Sequence, residues 1–173
     1  MLKEIDMPPA DATIAPAATA RDALGRVPWL DAVPAATLDA LAQHAVLHRM
    51  PPDSQLFEQA EIPTFALPLL SGSVELLGVR GKEETLVEFV RGPDLILPAA
   101  VLNQQPYLMR ARVLGEAWLV MVQASTFRDA VAADHALALA VLSCQAAQFR
   151  RQIKHAMNLQ LRSAEERIGC YLM

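Results

Sequence analysis

The stretch that decides the fold runs from Leu69 to Pro98, LLSGSVELLGVRGKEETLVEFVRGPDLILP. Short runs of Val, Leu and Phe alternate here with turn signals such as Ser-Gly-Ser and Arg-Gly-Pro-Asp, and each run is too short for a core helix. Residues 74–90 are therefore predicted to form one hairpin with Gly81 at its tip. Similar runs continue from Val46 to Val122, which predicts an all-β sandwich or barrel.

The residues before the strands change character near Val27. Residues 7–20 are rich in Ala, Pro and Thr and lack the aliphatic side chains that would anchor them, so we expect a flexible tail over residues 1–26. Beyond it, Trp29, Leu30, Leu38 and Leu41 recur at helical spacings. This predicts a short helical entry to the barrel.

The residues after the strands return to a helical period. Ala124 to Ala132 is predicted as a short helix, and Asp134 can cap a longer one over residues 134–161. Apolar positions on this helix follow alternating spacings of three and four, which predicts a heptad seam that pairs with a second identical chain. The alternative is that the helix packs on its own barrel. The predicted dimerisation residues are Leu139, Leu142, Ala146, Phe149, Ile153 and Ala156.

Composition excludes several classes of protein. The net charge of −4 and a pI near 5.5 do not favour a binder that relies on a positive field over the whole chain. Cys144 and Cys170 are too few and too far apart for a disulfide framework or an iron–sulfur cluster, and we expect reduced thiols. The sequence contains neither a secretory signal nor a run of about 18 apolar residues, so a cytoplasmic protein without a membrane span is expected.

The order of these features resembles the CRP/FNR transcription regulators. The resemblance rests on LFEQAEIPTFALPLLSGSVELLGVRGKEETLVEFVRGPDLILPAAVL, then VMVQASTFRDAVAAD, then SAEERIGCYLM. Its markers, in order, are Leu56-Phe57, Ser71-Gly72, Gly81-Lys82-Glu83, Phe127, the seam and Arg167. The ordered set is more specific than any one motif.

The resemblance implies a fold and an organisation. The fold would be mainly β with flanking helices: a cyclic-nucleotide-binding-like β-barrel, or jelly roll, followed by a long dimerisation helix. Residues 27–133 would form the sensor barrel and residues 134–161 the dimerisation helix. Residues 162–173 would begin a DNA-binding domain whose winged helix-turn-helix is absent from this chain. The expected function is the sensory and dimerisation region of a regulator that acts as a homodimer on DNA, without catalysis.

The residues from Arg91 to Arg112, called the 91–112 segment below, correspond to the family's ligand hairpin. Members that bind cyclic AMP use Gly-Glu and Arg-Ser there, and this chain has Leu97-Pro98 and Tyr107-Leu108, which cannot replace a guanidinium and a carboxylate. A cyclic nucleotide is therefore not expected. The alternatives are an apolar effector and a barrel filled by its own side chains, the second of which would leave a ligand-free dimeric scaffold that binds another protein. The predicted pocket residues are Leu97, Pro98, Tyr107, Leu108 and Met109.

Arg110 and Arg112 are two residues apart and should share one strand face. We expect that face to be solvated or inter-domain; a displaced phosphate site is the alternative.

Haem is a further possibility implied by the family, and it requires an axial donor. The candidates are His44, His48, His135, His155 and several methionines, and none stands in a spacing that identifies a ligand. The cofactor is therefore left open and no metal site is predicted. A metal oxygenase would need several imidazoles on the strands, where only His48 is found, so an enzyme is not expected.

Overall fold

The computed structural model describes residues 19–161, which form eight strands with helices before and after them. The helices are α1 (Ala20–Leu24), α2 (Ala35–Ala42), α3 (Pro98–Asn103), α4 (Ala124–Ala133) and α5 (His135–Leu161), with one 3₁₀ turn at Pro28–Leu30. The strands are β1 (Ala45–Met50), β2 (Gln55–Phe57), β3 (Phe65–Ser71), β4 (Ser73–Arg80), β5 (Glu83–Arg91), β6 (Asp94–Ile96), β7 (Arg110–Val113) and β8 (Ala117–Gln123).

The strands form two antiparallel sheets of four strands each. Sheet 1 has the order β1-β8-β3-β6, and sheet 2 has the order β2-β7-β4-β5. The predicted hairpin is confirmed, because Val74 pairs with Val90 and Arg80 pairs with Glu83 around a left-handed Gly81. The predicted fold class, a jelly-roll barrel with flanking helices and a long C-terminal helix, is likewise confirmed.

The core has two layers, one on each face of sheet 1. Leu67, Leu69 and Leu119 of sheet 1 pack against sheet 2, and Leu70 and Val122 pack against the helices. Strand β3 is therefore buried over five consecutive residues. Its sequence reads as a continuous apolar run because both of its faces are covered.

The long helix begins as predicted. The Asp134 side chain accepts a hydrogen bond from the Leu137 backbone N–H at 2.9 Å, and this cap starts α5 at His135. Over residues 19–161 no single helix is long and apolar enough to cross a membrane. Ala124–Ala133 and His135–Lys154, bent by 112° at their junction, meet that criterion only as a pair.

The prediction of a flexible tail over residues 1–26 is wrong for its last part, from Thr19 onward. Thr19 Oγ1 accepts a hydrogen bond from the Asp22 N–H at 3.1 Å and caps α1, which buries Ala23 and Leu24 in the helical core layer. The burial of Ala23 and Leu24 against residues distant in sequence is a contact that a local pattern could not predict. Residues 1–18 of the predicted tail lie outside the described residues.

Two glycines lie where the chain passes between the sheets. Gly72 joins β3 to β4 and Gly92 joins β5 to β6, and the Gly92 N–H donates to the Gly72 carbonyl at 3.0 Å. Gly72 has φ +89°, and a Cβ there would lie 2.6 Å from the Glu116 carbonyl oxygen and 2.7 Å from the Ala117 Cα. The crossing therefore requires glycine for both conformation and space.

We expect Gly72→Ala to lower the free energy of unfolding by about 2–4 kcal/mol, because it adds a backbone clash to an unfavourable φ. Urea unfolding followed by circular dichroism measures the loss. Gly115→Ala is the matched control, because a Cβ there meets nothing within 4 Å. A Gly72→Ala variant as stable as Gly115→Ala would contradict the steric argument.

Candidate functional site

The 91–112 segment leaves sheet 1 through β6, forms α3 and returns to sheet 2 as β7. Leu97 starts α3 in the left-handed region with φ 41°, and Gln104 ends it with φ 53°. Arg128 of α4 donates a hydrogen bond to the Val101 carbonyl at 3.3 Å. The helix of the segment is thus attached to the helical layer of the molecule.

The predicted pocket residues do not converge on one space. Tyr107 is buried and stacks on Phe57, with ring centroids 3.6 Å apart and planes 12° apart. Pro98 is buried at the start of α3, whereas Leu108 is 81% exposed. Leu97 and Met109 are half-buried at the edge of the inter-sheet core. The structure therefore separates residues that the sequence analysis grouped.

The cavity beside Tyr107 is very small, about 30 Å³. That is room for one or two water molecules, whereas pockets for small ligands hold roughly 300–1,000 Å³. Of the five predicted pocket residues only Tyr107 lines it. The full lining is Leu56, Phe57, Glu61, Ile62, Thr64, Phe65, Leu67, Tyr107 and Met121.

Arg110 and Arg112 lie on one face of β7, as their spacing predicted, and carboxylates occupy both guanidinium groups. Arg110 Nε donates to Glu58 Oε2 at 2.8 Å and also bonds to Glu84. Arg112 Nε donates to Glu75 Oε1 at 2.5 Å, and its Nη1 lies 3.2 Å from Glu84 Oε2. These hydrogen bonds raise the pKa of both arginines, and the bond from Arg110 lowers the pKa of Glu58. Both guanidinium groups therefore already bind carboxylates.

The histidines considered as haem donors lie on separate elements. His44 is in the turn before β1, His48 is in β1 and His135 is the first residue of α5, while the side chain of His155 lies outside the described residues. Within residues 19–161 no three His, Cys, Asp or Glu side chains are grouped to hold a metal ion. Among the described residues, the histidines are therefore not brought together.

Helix α5 carries two apolar stripes, and the structure distinguishes between them. One stripe faces the barrel and is buried. It consists of Leu137, Val141 and Cys144, and the polar Gln148 continues it at the same alternating spacings of four and three. The predicted seam lies on another face, and all of its members are exposed: Leu139, Leu142, Ala146, Phe149, Ile153 and Ala156. The alternative considered for the seam is packing on the chain's own barrel. In the structure the first stripe packs there instead of the seam.

Two buried polar residues that sequence analysis did not identify meet where α5 packs on β6. Asp94 of β6 is 8% exposed and Gln148 is 4% exposed, and Gln148 Nε2 donates to Asp94 Oδ1 at 3.0 Å. Burial, with the Asp94 charge nearby, raises the pKa of Cys144 to about 11, so its thiol is protonated near neutral pH. The signal for Gln148 was its spacing of four from Cys144 on the buried stripe.

The structure is similar to solved structures of sensor and regulatory domains. One is the sensor domain of the transcriptional regulator DNR from Pseudomonas aeruginosa, with 17% identity and a TM-score of 0.62 over 74% of this chain and 91% of that one. A cyclic nucleotide-binding domain from Methylobacillus flagellatus has 13% identity and a TM-score of 0.67 over 84% of each chain. The regulatory domain of Toxoplasma gondii PKA, solved with cAMP, has 17% identity and a TM-score of 0.61 over 75% of this chain and 49% of that one. At these identities the likeness establishes the fold.

The sequence itself supplies the family. No curated protein matches the chain. Residues 47–134, just over half of the chain, match the cyclic nucleotide-binding domain. This range covers the barrel from β1 to the end of α4 and includes the whole 91–112 segment. The fold, the order of the motifs and this match agree, and the chain belongs to the cyclic nucleotide-binding domain family.

Proposed function

We propose that this chain is the sensory and dimerisation region of a CRP/FNR-type transcription regulator that does not respond to cyclic AMP. The observation that carries the proposal is the second apolar stripe of α5, which is exposed after the barrel has covered the first. Similarity to a structure described as the sensor domain of a transcriptional regulator supports the same function. In this proposal DNA is bound by a domain that follows residue 173, and the chain acts by binding and not by catalysis.

The exposed stripe has the chemistry of a helix–helix interface. Leu142 is 63% exposed, Phe149 is 60% exposed and Ile153 is 44% exposed. Large apolar side chains at heptad spacing insert between those of a facing helix, and a second copy of α5 supplies the same pattern. Arg150 and Lys154 flank Phe149 and Ile153 in an open groove, as polar residues flank a coiled-coil seam. We therefore assign this stripe to a two-fold symmetric homodimer.

The 91–112 segment supports the second part of the proposal. No residue from Leu97 to Met109 is charged, and the next two cations, Arg110 and Arg112, are bound to glutamates. Between Leu97 and Met109 a cyclic nucleotide would find neither a guanidinium for its phosphate nor a carboxylate for its ribose. The small cavity favours a barrel filled by its own side chains over an apolar effector, which would need the segment to open.

Tyr107 is the side chain that fills this space. Burial, reinforced by the charge of Glu61, raises the pKa of Tyr107 to about 12 from an ordinary value of 10.0. The neutral phenol is therefore favoured in the folded protein, and ionisation of Tyr107 opposes its burial beside Phe57.

We expect Phe149→Asp and Ile153→Asp to convert the dimer to monomers, because each buries a carboxylate in an apolar seam. Light scattering coupled to size-exclusion chromatography measures the mass. Ala147→Asp is the matched control: it makes the same kind of change at an exposed position of α5 outside the seam. A dimer that survives both seam variants, or a monomeric parent chain, would sink the assignment.

Calorimetric titration with cyclic AMP and with cyclic GMP should give no saturable heat at micromolar concentrations, because the charged groups that would hold the phosphate are absent or paired. Haemin, titrated in parallel and followed by absorption near 400 nm, tests the other ligand that the family suggests. Saturable binding of either nucleotide that is lost in Arg110→Gln would contradict the proposal and would locate the site.

We expect the stability of the folded chain to fall as the pH rises from 10 to 12. The folded pKa of Tyr107 lies above its unfolded value, so its contribution is complete below pH 10 and is lost as the pH rises through about 12. The loss should reach about 2 kcal/mol near pH 11.5, measured by urea unfolding at several pH values. Tyr107→Phe should lack this component, and equal losses in the two proteins would contradict the assignment.

A further inference from the structure

A polar cluster joins α5 to β5 and to β6, the strand near the start of the 91–112 segment. We call it the clamp and define it as Glu88, Asp94, Gln148 and Arg151. Gln148 Nε2 donates to Asp94 Oδ1 at 3.0 Å and to the Leu95 carbonyl at 2.5 Å, and Arg151 Nη2 donates to Asp94 Oδ2 at 2.6 Å. Arg151 Nε lies 3.6 Å from Glu88 Oε1.

Burial makes the clamp sensitive to changes at Asp94 and Gln148. Asp94 and Gln148 are the buried polar residues of the described part of the chain, 8% and 4% exposed. Glu88 Oε1 is also buried and has no hydrogen bond, so Arg151 is its neighbouring counter-charge. A buried carboxylate without its partner costs far more than an exposed one. The two carboxylates therefore hold α5 at the position where Arg151 reaches both.

The clamp acts on the backbone where α3 begins. Asp94 Oδ1 accepts the Leu95 N–H at 2.8 Å while Gln148 holds the Leu95 carbonyl, so α5 fixes the peptide groups on both sides of Leu95. Two residues later Leu97 takes the left-handed φ of 41° that starts α3. A shift of α5 along the barrel would change these bonds, and a shift of the segment would change them equally.

We propose that the clamp couples the 91–112 segment to the long helix, with Asp94 as the positioning residue, so that neither moves on the barrel without the other. This inference rests on the proposed function, because it names the contact through which a change in the sensor barrel reaches the dimerisation helix. The coupling is reciprocal: loss of the α5 side of the clamp loosens the segment, and loss of the segment side loosens α5.

The test is hydrogen–deuterium exchange of the chain from residue 1 to 173, read in two regions, residues 95–104 and residues 145–154. Arg151→Gln removes the charge on the α5 side, and Asp94→Asn removes it on the segment side. Each variant should raise exchange roughly tenfold in both regions, the order expected for losing one charge-assisted hydrogen bond. The double variant should exceed either single variant by less than the sum of their effects.

Arg150→Gln is the matched control, since it makes the same substitution one position away in the groove beside the seam. It should leave exchange in both regions unchanged. Arg151→Lys replaces Arg151→Gln in the test if the latter does not fold. It keeps the charge but not the forked geometry, so exchange should rise less in both regions.

A rise confined to residues 145–154, or no rise at all, would overturn the coupling. The molecular mass of each sample separates this result from failure of the proposed function. If the parent chain is a dimer and the variants leave exchange unchanged, the clamp alone is contradicted. If the parent chain is a monomer and the variants raise exchange in both regions, the dimer alone is contradicted.

Discussion

Sheet 1 lies between two apolar layers, the helices on one face and sheet 2 on the other, and the rest of the molecule depends on that two-sided burial. The chain moves between the sheets six times, and at two of these crossings, after β3 and after β5, the backbones come into close contact. Gly72 and Gly92 occupy those points because a Cβ at either would lie under 3.0 Å from neighbouring backbone atoms. Sheet 2, covered on one face only, can carry ionic groups on its outer face. Arg110 and Arg112 with their glutamates lie on that solvated side.

Helix α5 helps to cover sheet 1, but it is longer and more apolar than that role requires. The helical layer needs only one stripe of α5, from Leu137 to Gln148, to cover the edge of sheet 1. The helix nevertheless continues to Leu161, and a second apolar stripe runs along it. A contiguous exposed apolar patch on a folded protein is typical of a surface that binds a partner. The homodimer proposed above would account for both the length of the helix and its second stripe.

Features specified by local pattern could be predicted from the sequence. Turn residues around Gly81 predicted the hairpin, the side chain of Asp134 predicted the start of α5, and a spacing of two placed Arg110 and Arg112 on one face. Features that depend on distant residues could not. Helix α5 has two apolar stripes, and the heptad period alone does not say which of them faces the barrel. The exposure of Leu108, the burial of Leu24 and the pairing of Asp94 with Gln148, 54 positions away, depend on tertiary packing that no local window contains.

The charges around the 91–112 segment bear on the ligands that the proposed function considers. An anion approaching β7 meets Glu58, Glu75 and Glu84 around Arg110 and Arg112, a net charge of about −1 at neutral pH, and must break existing charge-assisted bonds to gain new ones. Between Leu97 and Met109 the segment offers backbone groups and apolar side chains only slightly interrupted by amides. The stacked rings of Phe57 and Tyr107 occupy the apolar space beside the segment. Under the proposed function, any ligand bound there would have to replace that contact with its own apolar surface, which favours an apolar molecule over a nucleotide.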